Sequence, residues 1–309
     1  MTPATIDLVT HFLGTQPRHP LLVVLGPTCT GKTKLAIELA QQFAGEIISA
    51  DSRAIYRETD LGTAKPTAAE LTSAPHHLVS VFPPSHEVTL VEYRKLTEQK
   101  IAEIRERQKL PILAGSHTLL ISSIVLNYLF PTQATINPVL RHALTREYDA
   151  PAGPTILWEE LKKTDPLTAT KIPPQNRYHL LRALELVRTG ATPSHEKQKG
   201  VRPYDTLLLG LTLPRDELYA KINRRVDTML EAGLLEEVTR LSQKYERLAP
   251  ALRGHGYREL LDYLHGEKSL AVAVEEIKRN TRNYAKRQQT WWRNSPLASE
   301  IQWLTGHEK

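Results

Sequence analysis

Short apolar runs alternate with stretches of helical periodicity in the first part of the chain. Residues 21–25 (LLVVL), 46–49 and 110–114 are short and apolar enough to be buried strands. Residues 34–43 and 90–108 carry apolar side chains at helical spacing. Strands that alternate with helices predict an α/β fold whose parallel sheet has helices on its faces and right-handed crossovers.

The pattern changes in the middle of the chain. Prolines interrupt the helix-like stretches from residue 131 onwards, and no strong strand pattern returns before residues 206–213 (TLLLGLTL). The chain beyond that strand has helical periodicity at residues 216–244 and 270–292, with Gly233 as a break. We therefore predict two parts: a core of residues 20–126 and 204–300, and a helical insertion domain of residues 127–203.

Composition adds a class and a kind of partner. The 309 residues are 40% hydrophobic and 24% charged, which is typical of globular proteins. The net charge of +6 favours a polyanionic partner such as nucleic acid. The single cysteine, Cys29, excludes an internal disulfide and a zinc site built from several cysteines. With no leader and no apolar segment of membrane length, we expect a cytoplasmic protein.

A phosphate-binding loop follows the first predicted strand. Residues 26–33 (GPTCTGKT) match GxxxxGKT between a strand and a helix, the context in which this motif holds phosphates. Backbone N–H groups and the helix N-terminus face the anion, Lys32 adds a positive charge, and the Thr33 hydroxyl is suited to Mg²⁺. A nucleoside triphosphatase, a small-molecule kinase or a transferase that releases diphosphate could use this loop. The predicted phosphate-binding residues are Gly26, Pro27, Thr28, Cys29, Thr30, Gly31, Lys32 and Thr33.

An acidic residue stands at the end of the second predicted strand. Asp51 and Ser52 lie at the carboxyl edge of the sheet, where open α/β sheets bind ligands. A carboxylate there could bind Mg²⁺, accept a proton from a substrate amine or hydroxyl, or cap the following helix. The position alone leaves these roles open.

Seven segments resemble, in the same order, the motifs of the isopentenyl-tRNA transferases, also called tRNA dimethylallyltransferases. Together they extend over nearly the whole chain. The segments are 26–33 (GPTCTGKT), 50–66 (ADSRAIYRETDLGTAKP), 75–81 (PHHLVSV), 182–186 (RALEL), 224–234 (RRVDTMLEAGL), 256–260 (GYREL) and 281–293 (TRNYAKRQQTWWR).

The resemblance implies a reaction and a role for each matching residue. The loop would hold dimethylallyl diphosphate, and Asp51 would be the general base for the N6 amine of a tRNA adenine. Lys32, Mg²⁺ and Arg225, with the adjacent Arg224 as a second candidate, would neutralise the departing diphosphate. We expect the acceptor adenine to lie in the single-stranded anticodon loop. The residues that match tRNA contacts are Asp51, Ser52, Arg53, Ala54, Ser116, Arg141 and Arg182.

The C-terminal run 278–293 contains six basic residues and no acidic one, interleaved with Tyr284, Trp291 and Trp292. This composition is typical of an RNA-binding surface, and equally of an amphipathic helix that buries its aromatic residues.

Residues 114–119 read AGSHTL and depart from the family motif, with His117 where glycine is usual and Leu119 where tyrosine is usual. A side chain at position 117 could narrow the substrate tunnel or change the backbone angles. Ser80 and His179 are smaller departures, at positions where the family has aspartate and arginine.

Three alternatives share parts of this pattern. A P-loop kinase would use residues 26–33 and Asp51, and an adenylate isopentenyltransferase would need no large RNA surface. A tRNA-binding paralogue that has lost catalysis is favoured only by the altered 114–119 segment. We expect a monomer that acts on tRNA and dimethylallyl diphosphate without membrane association.

Overall fold

The computed structural model of the protein describes residues 1–129, 137–193 and 200–304. Residues 130–136 and 194–199 of the predicted insertion lie outside this part of the chain. The sheet has the strand order β3-β2-β4-β1-β5-β6, and every neighbouring pair is parallel. The strands are β1 (Leu21–Leu25), β2 (Gly45–Ala50), β3 (His76–His77), β4 (Leu110–Gly115), β5 (Thr206–Leu211) and β6 (Ile301–Leu304). This confirms the predicted α/β class with a parallel sheet.

The chain divides into two compact units. The first comprises Met1–Val125 and Pro203–Lys309, and the second comprises Leu126–Arg202. The helices of the first are α1 (Pro3–Gly14), α2 (Lys32–Gln42), α3 (Ala68–Ser73), α4 (Leu90–Glu106), α5 (Thr118–Val125), α10 (Arg215–Glu231), α11 (Leu234–Lys244), α12 (Tyr257–Leu264) and α13 (Leu270–Asn294). Those of the second are α6 (Pro138–Asp149), α7 (Gly153–Thr164), α8 (Pro166–Ala169) and α9 (Arg177–Arg188).

The first unit includes two elements outside the predicted core limits of 20 and 300. Helix α1 begins at a Thr2 cap and packs Val9 against the cluster formed by β1, α2 and β5. Strand β6 pairs with β5, so that Ile301 lies opposite Leu208. With these two elements, the first unit extends beyond residues 20–300 at both ends.

Burial explains why the central strands are so apolar. All five residues of β1 are buried, because β4 and β5 flank the strand and helices cover the sheet. Helix α13 buries Ala273, Ile277, Ala285 and Trp292, which lie on one face because they are four, eight and seven residues apart, close to whole helical turns. The carboxyl ends of β1, β2 and β4 thus lie side by side at one edge of the sheet.

The second unit is a small helical bundle among its described residues. Leu144, Leu157, Leu161 and Leu180 form its buried centre. Two of its prolines lie at boundaries between helices, since Pro154 and Pro166 occupy first-turn positions of α7 and α8. Proline is favoured there because its missing N–H has no helical partner in any case.

Candidate active site

The phosphate-binding loop connects β1 to α2. Gly26 has φ +142°, and a Cβ there would lie 2.3 Å from the Leu211 carbonyl oxygen of β5. Gly31 has φ +86° and immediately precedes α2, so it turns the chain into the helix. The glycines of the motif are therefore required by a close backbone approach and by a left-handed turn. The result is a helix N-terminus that faces the carboxyl edge of the sheet.

Side chains of the loop and of the first residue of α2 stabilise the conformation of the loop. The Thr30 hydroxyl and the Lys32 ammonium both donate to the Pro27 carbonyl, at 2.9 and 2.6 Å. Burial lowers the pKa of Lys32 to about 8, and the nearby charge of Arg225 acts in the same direction, while Asp51 and Cys29 oppose it. Lys32 is thus a cation whose charge depends on pH in the physiological range.

Asp51 directly follows β2 and is held at both its side chain and its backbone. One carboxylate oxygen accepts hydrogen bonds from the N–H groups of Arg53 (2.8 Å) and Ala54 (3.4 Å). The buried Tyr93 hydroxyl accepts from the Asp51 N–H (3.2 Å) and donates to the carbonyls of Ser49 and Asp51. Burial raises the pKa of Tyr93 well above its usual range, so the hydroxyl stays protonated. The carboxylate therefore has a fixed position at the sheet edge.

A cavity of about 480 Å³ opens at this edge, within the size range of small-molecule sites. It brings together many of the residues predicted from sequence, from both the phosphate loop and the second motif. Those that line it are Thr28, Cys29, Asp51, Ser52, Arg53, Ser116 and Arg225. Ala54 is buried beside Asp51, and Lys32 interacts electrostatically with Asp51 and Arg225.

Helix α10 supplies both charge and apolar surface to the cavity. Ile222, Arg225, Val226 and Met229 share one helix face, since they are three and four residues apart. The Arg225 guanidinium donates to the Cys29 sulfur at 3.4 Å, which brings it to the phosphate-binding loop. Arg224 is exposed on another face of the helix. Of the two candidate arginines, the structure brings Arg225 to the site.

A buried carboxylate holds the loop of residues 60–62 at the cavity, and its role could not be recognised from the sequence. Glu237 of α11 accepts hydrogen bonds from the backbone N–H groups of Asp60, Leu61 and Gly62, at 2.9 to 3.3 Å. It also accepts from the Tyr257 hydroxyl at 2.6 Å. Gly62 and Tyr257 both line the cavity. Tyr257, in the 256–260 motif, thus helps to hold the part of the cavity wall that contains Gly62.

The altered 114–119 segment does not obstruct the cavity. The His117 backbone N–H donates to the Ala50 carbonyl (2.9 Å), and its ring accepts from the Leu120 N–H (3.2 Å) at the start of α5. Burial lowers the pKa of His117, so the ring is neutral at pH 7. Ser116, not His117, is the residue of this segment that lines the cavity. His117 replaces the usual glycine as a helix cap.

The two remaining tRNA candidates lie in the second unit. Arg141 and Arg182 both pair with the buried carboxylate of Glu185, at 3.1 and 3.0 Å. Arg141 also lies over the ring of Tyr178, with its guanidinium carbon 5.7 Å from the ring centroid. Their pairing with Glu185 holds both guanidinium groups on the α6 and α9 side of this bundle.

The C-terminal run is only partly available to a partner. Trp292 is fully buried, whereas Trp291 is 42% exposed, so the two tryptophans have different roles. Several of the basic side chains are engaged within the protein. Their partners are Asp227 for Lys278 (2.7 Å), Glu276 for Arg279 (3.3 Å) and Asn223 for Arg282 (2.6 Å).

The described residues offer neither a cluster of metal ligands nor a membrane-spanning helix. Within residues 1–129, 137–193 and 200–304, no three His, Cys, Asp or Glu side chains are grouped so that they could hold a metal ion. No helix in these ranges has the length and apolar character to span a membrane. Thr33, the predicted Mg²⁺ ligand, is the second residue of α2.

The family model described as IPP transferase matches residues 54–295, which is more than half of the chain. The chain belongs to the IPP transferase family. A second model, isopentenyl transferase, matches residues 19–80. A tRNA dimethylallyltransferase from Pelotomaculum thermopropionicum is 42% identical over 291 residues, covering 93% of this chain and 91% of the relative. The Bacillus subtilis protein of that name is 41% identical over 280 residues, covering 90% and 88%.

Solved structures show the same relationship. The tRNA isopentenylpyrophosphate transferase from Bacillus halodurans has a TM-score of 0.69 and 37% identity, covering 93% of this chain and 89% of that one. A eukaryotic dimethylallyltransferase acting on tRNA has a TM-score of 0.80 and 28% identity, covering 92% and 73%. These comparisons confirm the resemblance, the P-loop-type α/β fold and membership of a prenyltransferase enzyme family for this chain. The roles of individual residues stay predictions.

Proposed function

We propose that the protein transfers a dimethylallyl group from dimethylallyl diphosphate to N6 of adenosine 37, next to the anticodon of tRNA, and releases diphosphate. One observation carries this proposal: the phosphate-binding loop, the Asp51 carboxylate and an apolar wall meet in a single cavity. The loop suits a diphosphate, the carboxylate suits an amine proton, and the wall suits a prenyl chain. The apolar side chains of that wall are Ile222, Val226, Met229, Leu234 and Ile277.

The transfer forms a bond between adenine N6 and the allylic carbon of the donor, and breaks the bond from that carbon to the diphosphate oxygen. The N6 proton passes to the Asp51 carboxylate. An arylamine is a weak nucleophile, so removal of its proton during attack lowers the barrier. The Asp51 carboxylate is oriented before the substrate binds, because it accepts hydrogen bonds from the Arg53 and Ala54 N–H groups and because the Tyr93 hydroxyl contacts the backbone of residue 51.

Negative charge grows on the diphosphate as the bond breaks. The residues suited to neutralise it are Lys32 and Arg225, with the N–H groups at the start of α2. The hydroxyl of Thr33 and the donor's own oxygens are hard ligands of the kind that Mg²⁺ prefers. Bound there, Mg²⁺ would stabilise the leaving group.

The acceptor must be single-stranded, because a base paired in a duplex cannot reach a cavity at the sheet edge. Ser52, Arg53 and Ser116 line that cavity and are the proposed contacts to the adenosine and its neighbours. Arg141 and Arg182 are the proposed contacts of the second unit with the tRNA backbone. We propose that a monomer carries out the reaction in the cytoplasm.

The direct test is incubation of the purified protein with unmodified tRNA, Mg²⁺ and labelled dimethylallyl diphosphate, followed by nucleoside analysis. We expect label on the adenosine that follows the anticodon. Label on AMP in place of tRNA would indicate an adenylate isopentenyltransferase, and transfer of the ATP γ-phosphoryl group would indicate a kinase. Tight tRNA binding without any transfer would indicate an impaired paralogue.

The charge of Lys32 predicts how donor binding depends on pH. With a pKa of about 8 in the free protein, the ammonium is mostly charged at pH 7 and mostly neutral at pH 9. Since the diphosphate binds the charged form, its affinity should fall by roughly tenfold between these values. Calorimetric titration with a non-reactive dimethylallyl diphosphate analogue measures this change.

The Lys32→Arg variant is the control for that titration, because guanidinium stays charged through pH 9. Ionisation of the ligand is the same for both proteins, so the difference in slope isolates Lys32. Parallel pH profiles for the two proteins would contradict the assignment.

A further inference from the structure

Gln288 is a buried amide that contacts two parts of the proposed active site. It lies on α13 and is only 3% exposed. Its carbonyl oxygen accepts a hydrogen bond from the Thr28 N–H at 3.0 Å, and its amide nitrogen donates to the Ser116 carbonyl at 3.1 Å. Thr28 belongs to the phosphate-binding loop and Ser116 follows β4. One side chain thus connects the loops that follow two neighbouring strands.

The two partners determine both the residue type and its orientation. A backbone N–H only donates and a carbonyl only accepts, so Thr28 must face the amide oxygen and Ser116 the amide nitrogen. Glutamate would keep an acceptor for Thr28 and place a negative charge against the Ser116 carbonyl. Methionine, of similar length and shape, would leave both backbone groups without a partner.

The two hydrogen bonds of Gln288 influence the donor side of the cavity through Cys29, the residue after Thr28. Thr28 precedes Cys29, whose sulfur accepts a hydrogen bond from Arg225. Thr30 and Lys32 brace the loop internally through the Pro27 carbonyl, whereas Gln288 ties it to the end of β4. The distance between the loop and Ser116 therefore depends on Gln288.

We propose that Gln288 is a positioning residue, which holds the diphosphate-binding loop at a fixed distance from the Ser116 loop on the acceptor side. The inference rests on the proposed function, in which diphosphate and nucleobase occupy these two sides. Small errors in such a distance reduce rate strongly, because the reacting atoms must approach in line.

The test compares Gln288→Met with Gln289→Met. Gln289 is the neighbouring residue on α13 and faces another direction, so it is a matched control. For Gln288→Met we expect kcat for prenyl transfer to fall by roughly 10- to 100-fold and Kd for inorganic diphosphate to rise roughly tenfold. KM for tRNA should change less than about twofold. The raised Kd for diphosphate is the readout that mere loss of folded protein would not produce, because a smaller active fraction lowers kcat and leaves Kd unchanged. The control should match the wild type.

Equal diphosphate affinity and equal kcat in both methionine variants would overturn the proposal. Gln288→Glu is a second variant in case the methionine protein does not fold. It should weaken diphosphate binding further than methionine does, because it adds a negative charge beside the loop; wild-type diphosphate affinity would contradict the proposal. A wild type that binds diphosphate but transfers no prenyl group would contradict the proposed function alone, and the diphosphate comparison would still decide the role of Gln288.

Discussion

The Asp51→Asn variant is expected to keep its fold and to lose prenyl transfer by about 10²- to 10⁴-fold, the usual contribution of a general base. Asparagine retains an oxygen that can accept from the Arg53 and Ala54 N–H groups, so the turn after β2 should persist. The Tyr93 support contacts only the backbone of residue 51 and is unaffected. What asparagine cannot do is accept the N6 proton. Single-turnover rates with labelled donor and unmodified tRNA measure this loss.

Two measurements separate loss of the base from other damage. Affinity for inorganic diphosphate should stay within about threefold of the wild type, because the phosphate-binding loop is unchanged. The control is Asp7→Asn, an exposed carboxylate on α1 outside the cavity, which should be fully active. Transfer by Asp51→Asn within about threefold of the wild type would refute the proton-acceptor role.

The central sheet is predictable from sequence because its strands are buried on both faces. β1 and β4 appear as continuous apolar runs with a glycine directly after or at the last position, and a buried parallel strand needs such an apolar composition. The edge strands give no such signal. Strand β6 exposes Gln302 and Trp303, and β3 contains only two residues, so neither has a periodicity that could be recognised.

The residues of the site also differ in whether they could be predicted, depending on whether they stand together in one segment of the sequence. The phosphate-binding loop and Asp51 stand in motifs whose chemistry is readable in one segment. Tyr93, Glu237 and Gln288 act through contacts with backbone groups far away in sequence, up to 260 residues for Gln288 and Thr28. On their own helices they occupy ordinary inward positions. Only the folded structure shows that each one supports a residue or loop of the cavity.

Arg225→Leu is expected to lower kcat by roughly 10²- to 10³-fold, the range found when a group that stabilises transition-state charge is removed. Arg225 contacts the phosphate-binding loop at Cys29, where the leaving diphosphate would gain charge. Leucine is compatible with the neighbouring Ile222 and Val226, so the packing of α10 should be preserved. Since the charge develops during bond breaking, kcat should fall more than the ground-state affinity for the donor. Steady-state kinetics with varied dimethylallyl diphosphate measure the two effects separately.

Arg224→Leu provides the matched control, with the same charge change one position away on the same helix. Adjacent helix residues do not face the same direction, and Arg224 is exposed while Arg225 lines the cavity. The Arg224 variant should retain kcat within about twofold, although its tRNA affinity can fall slightly through the lost positive charge. If both variants lost kcat equally, the effect would come from the total charge of α10, and the contact of Arg225 with the leaving group would have to be abandoned.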